Sequence, residues 1–576
     1  MKTVLIERHA NDESIAAVAG VHPVLQSIYR HRKVGSLDDV DNQLSKLLSF
    51  DSLAGINDAV EVIVDAIKQN KKILVVGDFD ADGATSTAVA VRTLRLFGAS
   101  HVDYLVPNRF DFGYGLTVEL VEYAAQLKPD LIITVDNGIS SIEGVQAANK
   151  QEIDVVVTDH HLAADNLPAA RAIVNPNQPA CTFPSKSIAG VGVIFYVMMA
   201  VRASLRQSVW FTAARKEPNL AKVLDLVALG TVADVVPLDK NNRILVDQGL
   251  KRIRAGECCP GIAALLKVAG RNQANCVSSD LGFAVGPRLN AAGRLEDMSL
   301  GIDCLLSDDS RFCKQIAEQL HELNSQRRSI ETDMLEQAMV LLDKVISALD
   351  VSELPSAIVI YHEDWHQGVI GILASRIKEQ FHRPVIAFAK SDNGEIKGSA
   401  RSIKGLNIRD ALDLLDKTHP SIIKKFGGHA MAAGLSMDEA DFAAFKAGFV
   451  SVVDGLLSKD DLVNVLFTDG ELAEADFNIQ LADLLRYSGP WGQQFPEPLF
   501  DNCFNVMEWR IVGEKHLKLK LQPENSTLQI DAIAFNTTNE QLGQNSDKIR
   551  AVYKLDVNEF RNNKTLQLMI EYLEPV

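Results

Sequence analysis

The stretch VVGDFDADGATS, Val75 to Ser86, sets Asp78, Asp80 and Asp82 at alternate positions and follows them with Gly83. D-x-D-x-D-G also opens a helix-loop-helix calcium site, which requires a bidentate Glu at loop position twelve. That position is Val89, and the preceding KKILVVG reads as a buried strand rather than an amphipathic helix. The calcium reading fails on both counts. What remains is a strand, an acidic turn and the small-residue helix start GATSTAVAVRTLRLFG, the first half of a βαβ unit. Ligands of such sheets gather at the carboxyl ends of the strands. A single Asp is accounted for as a helix cap; three in alternation are not.

The pattern recurs down the chain. HVDYLVPNRF is a strand followed by a turn carrying Arg109, DLIITVDNGIS a strand ending at Asp136, and IDVVVTDHHL a strand ending at Asp159, His160 and His161. Helical stretches such as TVELVEYAAQL and SIEGVQAANK lie between them, so the segment is expected to fold as a mostly parallel, doubly wound α/β sheet whose polar strand ends meet. Further on, LVALGTVADVVPL holds Asp234 among apolar residues, where an unpaired carboxylate is costly and a metal would remove the cost. Asp80, Asp82, Asp136, His160 and Asp234 offer carboxylate oxygens, one imidazole and no thiolate, a mix suited to Mg²⁺ or Mn²⁺. In a two-metal site the ions stand roughly 3.5–4 Å apart and activate a water. Asp136 is the expected bridge.

A chain of 576 residues, 47% of them hydrophobic, should form three or four domains. Its longest apolar run, Ile188 to Val201, is shorter than the ~18 residues of a membrane span and reads as a core helix. The start, MKTVLIERHANDES, turns charged too early for a signal peptide. Seven cysteines without C-x-x-C spacing suggest neither a zinc site nor a disulfide framework, and the chain reads as cytoplasmic. The net charge of −17 argues against a non-specific polyanion binder, yet Arg376 to Lys425 carries eleven Lys or Arg against six Asp or Glu.

DFDADG, VDNG, TDHH and TVADVVPL, in that order, resemble the four motifs of the DHH phosphoesterases, named for a triplet that here is Asp159-His160-His161. GFAVGPRLNAAGRLEDM, YHEDWHQGVIGILASRI, KGSARS and FGGHAMAAG resemble the RecJ branch, and the match runs over most of the chain. The resemblance implies a single-strand-specific 5′ to 3′ DNA exonuclease of repair and recombination that needs a divalent metal; the residues alone support metal-assisted phosphoester hydrolysis. It carries over Asp80, Asp82, Asp136, His160 and Asp234 as ligands, His161 as a contact to the scissile phosphate, and Asp159 as the partner that fixes an imidazole tautomer. Asp78 is left outside the ligand set.

The expected organisation is an N-terminal segment (1–50), the DHH metal domain (51–240), a helical connector (241–350) containing one long helix or a helical pair, a second α/β domain of the DHH-associated type (351–450), and an OB-like β-barrel (451–576). In the second α/β domain, Gly427 and Gly428 before His429 would let the backbone approach a phosphate, with Ser399, Arg401 and Ser402 as donors. Arg109 and Arg288, read as turn residues, would grip a 5′-terminal phosphate. Trp509, Tyr553 and Phe560 are candidate stacking platforms in the barrel, with Lys515, Lys518 and Lys520 for the DNA backbone. The expected substrate is single-stranded DNA. The family implies a single-strand-binding protein and a DNA helicase as partners, and the chain reads as a monomer without membrane association. The alternative is a DHH-type phosphodiesterase or pyrophosphatase acting on short oligonucleotides, cyclic dinucleotides or pyrophosphate.

Overall fold

The computed structural model describes residues 4–10, 14–15, 18, 20–108, 114–163, 166–179, 181–348, 354–391, 394–513, 515–537, 547–560 and 563–576. The chain divides into two compact units, Met1–Glu7 with Glu322–Leu466, and Arg8–His321 with Phe467–Val576. Strand β1 (Val4–Arg8) opens the chain.

In the larger unit, β2 (Ile73–Val76), β3 (Val102–Leu105), β4 (Leu131–Val135), β5 (Asp154–Thr158) and β6 (Ala172–Val174) form a sheet in the order β3-β2-β4-β5-β6. Every pairing is parallel. The sequences ILVV and LIITV of β2 and β4 are apolar almost throughout and buried at every position, as strands covered on both faces must be. From β2 the chain crosses first to β3 on one side and then to β4 on the other. The crevice beyond the carboxyl ends of β2 and β4 is therefore a topological switch point. The acidic turn after β2 enters helix Ala81–Phe97, and Asp80 caps it by accepting the Gly83 N–H at 2.9 Å. The apolar run beginning at Ile188 becomes the buried helix Gly190–Gln207, in the core as read.

The connector contains helix Ser310–Ala348, unbroken over 39 residues, so one long helix is realised and not a pair. In the smaller unit, β7 (Ile358–His362), β8 (Val385–Lys390), β9 (Glu395–Arg401), β10 (Lys425–Gly428) and β11 (Ala432–Asp438) form a mixed sheet ordered β10-β11-β9-β8-β7. Only the β7–β8 pairing is parallel. Its core centres on Phe388, Phe445 and Phe449. Strand β12 (Asn464–Thr468) pairs with β1.

At the carboxyl end, β13 (Phe500–Val512), β14 (His516–Pro523), β15 (Ile530–Ala534), β16 (Lys548–Phe560) and β17 (Asn563–Pro575) close a barrel in the order β13-β14-β15-β17-β16. Period-two alternation builds its wall: Leu517, Leu519 and Leu521 of β14 are buried, while Lys518 and Lys520 between them are not. One expected platform is corrected here. Tyr553 is fully buried, and its hydroxyl donates to Asn502 Oδ1 at 2.6 Å, so it is core. Trp509 is half exposed, and the side chain of Phe560 lies outside the described residues.

Candidate metal centre and nucleic-acid contacts

The polar strand ends meet. The turn after β2 delivers Asp78, Asp80 and Asp82, the end of β4 delivers Asp136, and the end of β5 delivers Asp159, His160 and His161. Asp234 arrives from a different element, the C-terminal cap of helix Leu224–Ala233. Three overlapping sets could hold metal ions: Asp136, His160 and His161; Asp82, His160 and Asp234; Asp78, Asp80 and Asp136. Within each set the ligand atoms lie within 4.8 Å of one another, and Asp136 and His160 each belong to two sets.

The backbone is shaped for this convergence. Asp136 has φ of 61°, and Val235, next to Asp234, has φ of 59°. Left-handed conformations cost roughly 1–2 kcal/mol in residues with a Cβ, and such strain clusters at functional sites. Asp82 is buried and accepts backbone N–H groups from Gly190 (2.7 Å) and Val191 (3.0 Å), the first residues of helix Gly190–Gln207. Its charge thus faces the positive end of a helix dipole.

The electrostatics call for a cation. Burial first, and then Asp82, Asp80, Asp234 and Asp78, push the Asp136 carboxyl well above its ordinary range. Burial and the Asp80 charge raise Asp82 to about 7 against the helix N–H bonds, and Asp234 is also pushed well up by burial and by Asp82. Asp136 Oδ1 is buried and accepts no hydrogen bond among the described residues. His160 Nε2 lies 3.2 Å from it and 3.5 Å from an oxygen of Asp234. A cluster of mutually repelling carboxylates around an imidazole, without thiolate, suits divalent cations that prefer oxygen and nitrogen.

Asp159 has a different office. It is fully buried and accepts N–H groups from Ile139 (2.9 Å), His160 (2.7 Å) and His161 (3.1 Å), and His161 Nδ1 donates to it at 2.7 Å. Burial opposes its charge, but the His161 hydrogen bond and charge bring its pKa down to about 2. Burial likewise opposes a charged His161 ring, and Asp159 overrides it, raising that pKa to about 9. The imidazole that Asp159 fixes is therefore that of His161 and not the candidate ligand His160. A neighbour the sequence did not reveal is Tyr114, whose hydroxyl stands 3.2 Å from His161 Nε2.

The expected nucleic-acid residues fare unevenly. Arg109 lies outside the described residues. Arg288 is not in a turn: it sits on helix Gly286–Leu295, buried, with Nη1 donating to the Ala284 carbonyl and Nε to His321 Nδ1. The stretch 427–428 is strand β10 rather than a loop, and Gly428, at φ 144°, packs so closely that a Cβ would fall 2.4 Å from the Ala432 carbonyl oxygen. Gly427 faces open space and His429 is exposed. Ser402 is turned inward, its hydroxyl donating to the Leu406 carbonyl. Arg401 stays a candidate. Its Nη1 donates to Ser399 Oγ (3.1 Å) and the Ala400 carbonyl (2.8 Å). A Cβ on Gly371, in the first turn of helix Ile370–Phe381, would fall 2.8 Å from Nη2. No ion pair joins Arg401 to a carboxylate among the described residues, and burial lowers its pKa. A cation held beside a helix N-terminus and a hydroxyl is suited to a phosphate.

Three stretches of the chain match known protein families. Residues 72–231 match the DHH family, N-terminal domain, residues 354–456 the DHHA1 domain, and residues 468–572 the RecJ OB domain. The chain is 53% identical to the single-stranded-DNA-specific exonuclease RecJ of Dickeya dadantii over 96% of both chains. The chain belongs to the RecJ family. The Escherichia coli member is 50% identical over 100% of this chain and 99% of its own. The crystal structure of Thermus thermophilus RecJ in complex with Mn²⁺ superposes with a TM-score of 0.80 at 28% identity, covering 100% of this chain and 80% of that one. Its Mg²⁺ complex gives a TM-score of 0.74. No helix among the described residues of this RecJ-family chain is long and apolar enough to cross a membrane.

Proposed function

We propose that this chain is a metal-dependent exonuclease that hydrolyses single-stranded DNA from its 5′ end in repair and recombination. The observation that carries the reading is the overlap of three ligand sets at the switch point, sharing Asp136 and His160. Asp80, Asp82, Asp136, His160 and Asp234 would hold Mn²⁺ or Mg²⁺, with Asp136, a member of two of the sets, serving both, and Asp78 would join Asp80. Bound there, the ions supply charge stabilisation at phosphoryl oxygens and a water of lowered pKa. His161, oriented and kept protonated by Asp159, faces the scissile phosphate and offsets its developing charge. Arg109 and Arg288 receive the 5′-terminal phosphate, and Ser399, Arg401, Gly427 and His429 hold the strand by its backbone. The half-exposed Trp509 and the outward lysines of β14 suit a barrel that supports the strand further along.

A single-strand-binding protein and a helicase that exposes the strand are the proposed partners of a cytoplasmic monomer. Digestion of end-labelled single-stranded, duplex and dinucleotide substrates tests the reading. Stepwise loss of nucleotides from the 5′ end of the single strand is expected, with duplex spared. Preference for the dinucleotide would favour the small-substrate hydrolase instead. Equal losses on 5′-phosphorylated and 5′-hydroxyl strands after replacing Arg109 or Arg288 would remove the end-recognition role.

A further inference from the structure

The stretch GFAVGPRLNAAGRLEDM, apart from Arg288, has no part in the chemistry above. Much of it forms helix Gly286–Leu295, which meets the acidic turn at two points on either side of Asp80. At the first, Asn290 Oδ1 accepts the Ala81 backbone N–H at 2.7 Å. A backbone N–H can only donate, so the amide oxygen must face it, which settles the orientation of the Asn290 amide. Ala81 is the first residue of helix Ala81–Phe97, and its N–H is one that the helix leaves unsatisfied. Asp80 does not serve it, because its capping oxygen is taken by Gly83. At the second point, a Cβ built on Gly293 would fall 1.8 Å from the Phe79 carbonyl oxygen, so no side chain fits between helix and turn.

We infer that Asn290 is a positioning residue of the metal centre: by holding the Ala81 N–H while Gly293 abuts Phe79, it fixes the turn from which Asp80 and Asp82 present their oxygens. The inference rests on the reading of the acidic cluster as a metal centre. Asn290 acts through the turn and touches neither ion nor strand. An amide serving only to join two helices would change stability without changing how tightly the centre binds a cation.

Mn²⁺ affinity separates the two, read from free Mn²⁺ by electron paramagnetic resonance as the chelator-stripped full chain is titrated. Asn290→Ala is expected to weaken Mn²⁺ binding about tenfold or more, the usual effect of losing a group that orients a ligand. It should also lower kcat with little change in KM for the strand. Asn290→Asp, which keeps an acceptor for the Ala81 N–H, should bind Mn²⁺ at or above the parent's affinity. Should Asn290→Ala not fold, Asn290→Gln, which keeps the amide but displaces its oxygen by one methylene, is expected to show the same loss. Mn²⁺ binding within twofold of the parent in the folded variant, with Asp136→Ala losing it, would overturn the inference. Binding unchanged in Asp136→Ala as well would overturn the metal-centre reading beneath it.

Discussion

A Cβ on Gly190 would stand 2.5 Å from Asp136 Oδ1, so the first residue of helix Gly190–Gln207 and the carboxylate beyond β4 share a space that admits no methyl group. The same glycine donates its N–H to Asp82. Gly190→Ala should therefore push Asp136 off its position. Overpacking costs roughly 1–3 kcal/mol; the functional effect is a fall in Mn²⁺ affinity and kcat of about tenfold or more. Calorimetric metal titration beside a thermal melt checks this, and parent-like Mn²⁺ binding would show that the contact yields without consequence.

Asp159 accepts four donors, and asparagine has one oxygen with which to replace two. In Asp159→Asn the amide nitrogen would face an N–H, and His161 would lose the partner that fixes its tautomer. We expect kcat to fall about a hundredfold or more, with a much smaller change in Mn²⁺ affinity, since Asp159 belongs to none of the ligand sets. Single-turnover cleavage at saturating metal is the measurement. Unimpaired turnover would deny His161 its role.

Without metal, Asp82 titrates near 7, against 3.8 for an ordinary carboxyl. Between those values the folded chain binds more protons than the unfolded one. The stability this gives is complete below about pH 4 and is lost as pH rises through about 7. The melting temperature of chelator-treated protein should accordingly fall between about pH 4 and pH 7 and level off above. Saturating Mn²⁺ should raise it more at the higher pH, where no proton has to be displaced. An equal rise at both would contradict the shared-carboxylate picture.

If Arg401 holds a backbone phosphate, strand binding by Arg401→Ala in an Asp136→Ala background should be weaker and less salt-dependent. The logarithmic slope should become shallower by about 0.7, the contribution of one neutralised phosphate on a single strand. Mn²⁺ binding should be unaffected in the otherwise native chain. An unchanged slope would make the Arg376 to Lys425 surplus a solvated face.

The sheet and the cluster were legible because strands buried on both faces write themselves as apolar runs, and a carboxylate at the end of each run has few other reasons to be there. Asp78 was left outside the ligand set because its role depends on where a turn bends, which D-x-D-x-D spacing does not specify; the structure places it in one candidate set with Asp80 and Asp136. Arg288 was misplaced because Gly286 and Pro287 read as a turn, whereas proline is well tolerated in the first turn of a helix. Tyr553 was offered as a platform because alternation tells which residues share a face of a strand but not which face turns inward. The partnership of Asp159 with His161 rather than His160 is a matter of ångströms between adjacent residues, beyond the reach of any pattern.

The grip of helix Gly286–Leu295 on the Phe79–Ala81 turn bears on how the molecule can be cut. A fragment ending soon after Asp234 would keep every candidate ligand and the whole parallel sheet, and would be the obvious minimal piece to express. It would lack the Asn290 bond and the Gly293 contact, leaving the aspartate turn open to water on the side now covered. Dissection of this protein should therefore carry its boundary beyond Leu295, and weak metal binding by a shorter piece would report on the missing helix rather than on the ligands.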